Sequence, residues 1–311
     1  MGEDKTTPGE QEPKVVEKEN PRDKKDEYGQ KKHNSKPATA ADPFLLEEIY
    51  SDACQIFAPN ELLTPRSKSV LVALDTNVLL LPYNLGKGDF PALGNVYSNL
   101  AKEGRLFLPE RAAREFIKHR DRKLADMAQA IDDKASRLGN WDTKLTSLLL
   151  EGFPGQDDLI KSGDNLGEAT KKYTEMLHQL SAYVKSWRGN DPVTVLYQRI
   201  FTKENIIRPS EDNDKIIEKL KYAILNKVPP GYKDSDKEDS GVGDLVIWMS
   251  LLNLGKETKK DLIFVTGEEK ADWYVRAGKN TIYPRPELVY AYRQASSGRS
   301  LRLSSLHDVL K

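Results

Sequence analysis

The run Ser69-Val70-Leu71-Val72-Ala73-Leu74-Asp75-Thr76-Asn77-Val78-Leu79-Leu80-Leu81 constrains the fold more than any other stretch of this chain. Its first half is apolar without polar alternation and carries two β-branched residues, the pattern of a strand buried on both faces at the centre of a parallel sheet. A carboxylate follows at once. In open α/β sheets ligands gather outside the carboxyl ends of the strands, so Asp75 is expected at the mouth of a cleft, with Asn77 beside it.

Further apolar runs supply the rest of a sheet. Arg105-Leu106-Phe107-Leu108, Asp261-Leu262-Ile263-Phe264-Val265-Thr266 and Thr281-Ile282-Tyr283 read as strands. Helical spacing lies between them. After Pro109, which suits a first helical turn, Ile117, Leu124, Ile131 and Leu138 fall seven apart, with Phe116, Met127 and Ala128 on the same side. A matching partner spans 168–187, where Ala169, Tyr173, Met176, Leu177, Leu180, Val184 and Trp187 recur at three and four. Between the two lie apolar Trp141, Leu145, Leu148–Leu150 and Phe153, then a turn-rich stretch with Gly155, Gly163 and Gly167.

This pair predicts a helical hairpin of about 121–205 inserted into the α/β core. Short helices are expected after Pro43 and over 195–201, an amphipathic helix over 214–225, one opened by the stretch Asp239 to Met249 and continuing to about Asn253, where Gly255 stops it, one over 286–294, and a last short element over 301–310. Residues 83–94, with Gly86, Gly88, Pro91 and Gly94, read as a loop. The predicted class is α/β, three layers with a central parallel sheet. Residues 1–41, rich in Lys, Glu, Asp, Pro and Gly, form an expected disordered tail, and 42–311 one domain.

Composition removes several function classes. Lys plus Arg and Asp plus Glu both number 48, so a nucleic-acid surface has to be a local patch. One cysteine, Cys54, excludes an internal disulfide framework and a cysteine zinc site. No stretch reaches the roughly 20 apolar residues of a membrane span, and no apolar secretion signal opens the chain, which places it in the cytoplasm with no membrane partner. Four scattered histidines do not make a zinc site. There is no Gly-rich phosphate loop ending in Lys and Ser or Thr, and no Gly-x-Ser-x-Gly elbow. A phosphohydrolase with an Asp nucleophile typically wants a second Asp two residues on, and position 77 is Asn.

The acids recur where chemistry is expected. Asp75 ends a strand, Glu115 lies in the first turns of the helix after a strand, Asp244 opens a helix, and Glu268 and Asp272 follow the last long strand. Taken singly, Asp75 and Asp244 also suit helix caps. Taken together, parallel strands deliver them to one edge, where crowded carboxylates need a cation; oxygen-only ligation suits Mg²⁺ or Mn²⁺, able to activate a water against a phosphodiester. Thr266 and Asn77 are supporting candidates. For the phosphate backbone, the cation-rich stretch Arg111 to Lys123 offers Arg114, Lys118 and Arg120, with Lys270 beside Glu268 open to either the acids or a phosphate. His119 as a general base is not needed where hydrated metal supplies hydroxide.

Leu74-Asp75-Thr76-Asn77-Val78-Leu79-Leu80, Leu108-Pro109-Glu110-Arg111-Ala112-Ala113-Arg114-Glu115-Phe116, Gly243-Asp244-Leu245-Val246-Ile247-Trp248 and Phe264-Val265-Thr266 with acids after it resemble the PIN domain of metal-dependent ribonucleases. Pro230-Gly231-Tyr232-Lys233-Asp234, Gly243-Asp244 with Trp248, and Lys270-Ala271-Asp272-Trp273 are similar, more closely, to the bacterial PIN-like family with a large helical insert. The resemblance runs from about Val70 to the C-terminus.

It implies an endonuclease, RNA favoured over DNA, with Asp75, Glu115 and Asp244 as the first three metal-binding acids. The fourth is Glu268, where the family pattern has Asp, or Asp272; Asp234 and Asp236 stand in a second tier. The substitution of Glu for Asp leaves a catalytically weak or inactive scaffold, binding nucleic acid or a protein, as the alternative. The resemblance also suggests a toxin or antiphage effector, with the insert and the tail as the segments for a regulatory protein partner.

Overall fold

In the computed structural model, residues 42–59, 61–84, 86, 88–139, 152–234 and 241–310 are described. The expected tail lies outside them. The most apolar run becomes β1 (Leu71–Leu74), all four residues buried, because it takes a neighbour on each edge. Parallel β2 (Leu106–Pro109) sets Leu106 opposite Val72, and parallel β4 (Leu262–Val265) sets Leu262 opposite Leu71. β3 (Ile206–Ile207) extends the sheet beyond β2, and β7 (Leu301–Ser304) extends it beyond β4. Among the described residues the order is β3-β2-β1-β4-β7, all parallel.

Crossovers between parallel strands need helices, and these cover the sheet in the expected α/β arrangement. After the short α1 (Leu45–Ile49) and α2 (Ala53–Ile56), α3 (Thr76–Leu80) follows β1 and α4 (Asp89–Lys102) leads to β2. α5 (Glu110–Gly139) and α6 (Gln156–Ser186) pack along each other as the expected hairpin. α7 (Pro192–Ile200) then rests on α4. It is started by Asp191, whose Oδ1 accepts from Val193 and Thr194 N–H, with Pro192 in the first turn, where its missing N–H costs nothing. α8 (Asn213–Asn226) packs on α9 (Val242–Thr258), which also meets α5 and α10 (Pro286–Ala295). α11 (Leu306–Leu310) closes the chain.

Several expectations are corrected, most of them at glycines. The loop over 83–94 is half helix: α4 starts at Asp89, Pro91 sits in its first turn, and a Cβ at Gly94 would stand 3.2 Å from Leu196 of α7, so that glycine marks a close helix contact. α6 begins at Gln156 and runs through Gly163 and Gly167, because a helix packed along a partner tolerates residues of low propensity. α9 does not stop at Gly255; a Cβ there would lie 2.8 Å from the Tyr292 ring, so glycine lets α10 approach. Pro109 ends β2 and α5 starts one residue later. The strand at 281–283 is part of β6 (Asn280–Pro284), which pairs antiparallel with β5 (Tyr274–Ala277), a hairpin the sequence reading did not contain; neither did it contain β3.

Candidate active site

At the carboxyl edge of the sheet, Asp75 leaves β1 and Thr266 leaves β4. The Asp75 N–H donates to the Val265 carbonyl, so β1 and β4 stay zipped up to these residues. Asp75 caps α3, Oδ1 accepting from Thr76 N–H at 2.7 Å, while Oδ2 accepts from the Thr266 hydroxyl at 2.6 Å. Asn77 closes the other side: its Oδ1 accepts from Gly267 N–H at 2.8 Å and its Nδ2 points at Thr266 Oγ1 at 3.5 Å. The bland cap and the placed acid are therefore one residue. Capping fixes the direction in which the carboxylate points.

Glu115 arrives from the second turn of α5. Its Oε2 accepts from the Thr76 hydroxyl at 2.7 Å, so Asp75 and Glu115 are joined through adjacent residues of α3, and its Oε1 accepts from Arg111 Nε at 2.6 Å. Glu268 is held by its own backbone: Oε1 accepts from the N–H groups of Glu269 and Lys270, and its N–H donates to Thr266 Oγ1. Lys270 Nζ lies 2.9 Å from Glu268 Oε2 and 3.4 Å from Asp244 Oδ2, spanning the segment after β4 and the first turn of α9.

Asp272 takes a different place. It is fully buried, Oδ2 accepting from Gly231 N–H at 2.9 Å while Oδ1 has no hydrogen-bond partner among the described residues. Gly231, at φ +94°, packs so tightly that a Cβ would meet the Gly241 carbonyl at 2.9 Å and Asp244 Cβ at 3.6 Å. Asp272 therefore ties down the turn on which the Asp244 end of α9 rests. Its neighbour Trp273 stacks edge-on against Trp248 of α9, ring centres 6.1 Å apart, and lies tilted on Phe264 of β4 at 5.6 Å. The two tryptophans thus lock α9 against β4.

Asp75, Glu115 and Glu268 share one field. Asp75 is pushed up to about 6, first by burial and then by the charges of Glu115 and Glu268, against the pull of its bonds from Thr266 and Thr76. Among the described residues no three His, Cys, Asp or Glu side chains are grouped to hold one metal ion as they stand. Each acid instead has a partner: Thr76 and Arg111 for Glu115, Lys270 for Glu268 and Asp244. The donor set itself, carboxylate oxygens drawn to one edge and repelling one another, suits a hard divalent cation.

The sequence profile of the PIN-like domain matches residues 71–288, well over half of the chain. The chain belongs to the PIN-like domain family. This match opens on β1 and closes within α10, so every acid of the PIN-like edge lies inside it, and the fold is of a nuclease type. No curated protein and no solved structure matches the chain.

The cations expected to meet phosphate divide into groups. Arg114 is exposed and pairs with Glu110 at 2.9 Å; Lys118 is exposed one turn on. Arg120 is largely buried, bonded to Asp121 and to the Gly189 carbonyl, so it fastens α5 to the turn after α6. His119 bonds Arg122 on the exposed side of α5. A groove of about 840 Å³ opens beside the PIN-like edge, between the start of α5, the 208–213 segment, α8 and the start of α9. Its floor is Ile216, Leu220, Val242 and Val246, and Arg111, Arg114, Arg208 and Lys221 stand along it.

Sequence reasoning missed Thr76 as the link between Asp75 and Glu115, and Arg111 as the partner of Glu115. The i,i+4 spacing of Arg111 and Glu115 was a signal for the second. Arg208 had none, because only the fold brings the segment after β3 to α5. Asp236 and the side chain of Asp234 lie outside the described residues. No described helix is long and apolar enough to cross a membrane.

Proposed function

We propose that this PIN-like protein is a metal-dependent endonuclease that hydrolyses phosphodiester bonds, RNA favoured over DNA, with Asp75, Glu115, Asp244 and Glu268 as its metal-binding acids. The observation that supports the reading is a chain of contacts linking acids from four segments: Asp75 is raised by Glu115 and Glu268, and the Lys270 ammonium lies between Glu268 and Asp244. Mg²⁺ or Mn²⁺ bound among these oxygens supplies an activated water and charge for the phosphodiester. Thr266 and Asn77 aim Asp75, and Thr76 with Arg111 aims Glu115. Lys270 serves as the cation of the resting site and is released toward a substrate phosphate. Arg114 and Arg208, at the groove, follow the nucleic-acid backbone, and Asp272 supports the turn under Asp244 without touching substrate.

Purified protein incubated with labelled single-stranded RNA, single-stranded DNA and duplexes is expected to cut RNA with Mn²⁺ or Mg²⁺, not with chelator, and to lose cutting in Asp75→Asn and Asp244→Asn. Cutting that survives both substitutions overturns the assignment. One observation favours a second reading, a binding scaffold without cleavage: Glu268, longer than the family's Asp, is committed to two backbone N–H groups and Lys270. Nucleic-acid binding unchanged in Asp75→Asn, with no cutting in any metal, selects the scaffold. We further place the protein in the cytoplasm as a toxin or antiphage effector, for which growth arrest on expression, absent in Asp244→Asn, is the test; normal growth at high expression counts against it.

A further inference from the structure

The hairpin helix α6 carries two apolar seams, and α5 covers one of them. Leu177, Ser181 and Val184 are buried along α5. The other seam repeats every seven residues through Leu159, Leu166, Tyr173, Leu180 and Trp187, with Ser162, Ala169, Met176 and Tyr183 three residues after the first four. That is the a and d spacing of a coiled coil held for four heptads. Its large side chains face solvent: Leu166 is 47% exposed, Met176 57% and Tyr183 60%. A contiguous apolar stripe of this length marks an interaction surface.

Charge along the helix selects the occupant. Residues 156–170 hold four acids, Asp157, Asp158, Asp164 and Glu168, against the single Lys161. Residues 171–188 hold Lys171, Lys172, Lys185 and Arg188 against the single Glu175. α5, antiparallel to α6, continues the pattern, since its basic start, which includes Arg114, Lys118 and Arg122, lies at the same end as Arg188. A second copy laid antiparallel sets each acidic half on a basic half and lets every a layer meet a d layer, whereas a parallel copy sets like on like.

We propose that the exposed seam of α6 is a self-association surface: two copies pair antiparallel through Leu159, Leu166, Tyr173, Met176, Leu180 and Tyr183 as a twofold-symmetric four-helix bundle of two hairpins. Six large side chains, each about half exposed, offer on the order of 500–600 Å² per copy, so the pair buries about 1,000–1,200 Å², the lower edge of specific interfaces. The association is therefore reversible, and it weakens as salt rises. It does not depend on the nuclease reading.

Sedimentation velocity of the full chain over a concentration series is expected to show a monomer–dimer equilibrium. Met176→Glu and Tyr183→Glu should each weaken it at least tenfold while leaving the circular dichroism unchanged, and the melting temperature unchanged at concentrations dilute enough that wild type is also monomeric, because both side chains already face water. Spin labels in a Cys54→Ser background fix the orientation. Paired labels at Ser162→Cys should lie about 25–30 Å apart, from the 1.5 Å rise over the residues that separate them in an antiparallel pair, and labels at Lys172→Cys close together. A monomer at every concentration, a dimer indifferent to both Glu variants, a short Ser162 distance, or a Met176→Glu chain that melts lower than monomeric wild type because the seam is covered within its own chain, overturns the proposal.

Discussion

Asp75→Asn should destabilise the metal-free protein in acid and stabilise it above neutrality. Asp75 rises from an ordinary 3.8 to about 6 in the folded chain, so the folded state keeps this proton where the unfolded chain has lost it. Stability is therefore full below about pH 4 and falls as pH climbs through 6, by at most about 3 kcal/mol. Water at the open edge screens part of this, leaving about 2 kcal/mol. Asn removes the charge but upsets one bond: Thr266 donates to Oδ2 and already accepts from Glu268 N–H, so an amide in place of Oδ2 leaves the Thr266 hydroxyl without its acceptor, at about 1 kcal/mol.

The net expectation is a variant less stable than wild type by about 1 kcal/mol at pH 4 and more stable by roughly 1 kcal/mol at pH 8. Urea unfolding in chelator from pH 4 to 8 measures both curves, and their crossing is the signature. Added Mn²⁺ should then stabilise wild type far more than the variant. Parallel curves, with no crossing, refute the claim that burial and the neighbouring acids load Asp75.

Lys270→Met should bind Mn²⁺ roughly tenfold more tightly in a calorimetric titration, since the ion no longer competes with an ammonium placed between two acids, a gain of about 1–2 kcal/mol; Lys270→Arg should change little, and weaker binding in Met sinks the resting-cation role. Arg111→Met should leave folding intact but lower the Mn²⁺ affinity less than fivefold while slowing cleavage more, since Arg111 aims Glu115 rather than ligating; an unchanged rate counts against that. Asp272→Ala should cost about 2–3 kcal/mol in unfolding, from an unmet Gly231 N–H and a small void. Gly255→Ala should cost about 1–3 kcal/mol by pressing a methyl group on Tyr292, read as a lower melting temperature with the metal affinity unchanged.

What could be read from the sequence follows from which interactions are local. β1 and β4 were legible because strands buried on both faces are written as unbroken apolar runs, and α5 and α8 because one-sided burial imposes a period of 3.6. The glycines misled. Gly94 and Gly255 read as breaks, but they sit inside helices where a neighbouring side chain needs the space of a Cβ, and that neighbour, Leu196 or Tyr292, lies far along the chain. β3 is two residues long and gains its identity only from pairing with β2. At the site, Asp75, Glu115, Asp244 and Glu268 were visible in the pattern as acids near element ends, whereas the burial of Asp272 was not: it accompanies a hydrogen bond from Gly231, 41 residues away.

The partners of the acids show how these carboxylates are accommodated in the folded chain. Carboxylates drawn toward one edge would repel, yet each has a donor: Thr266 for Asp75, Thr76 and, from its own helix, Arg111 for Glu115, and Lys270 for both Glu268 on its own segment and Asp244 on α9. The hydroxyl donors are short and fixed at the ends of β4 and β1, so they hold direction. Lys270 is long and reaches in from beyond Glu268, so it can leave without unfolding anything. A residual load remains on Asp75, whose carboxyl is pushed up to about 6, first by burial and then by the charges of Glu115 and Glu268. On the proposed reading, an ion would be favoured most at Asp75, the acid closest to the sheet, and the Lys270 charge it displaced would be set free toward a substrate phosphate.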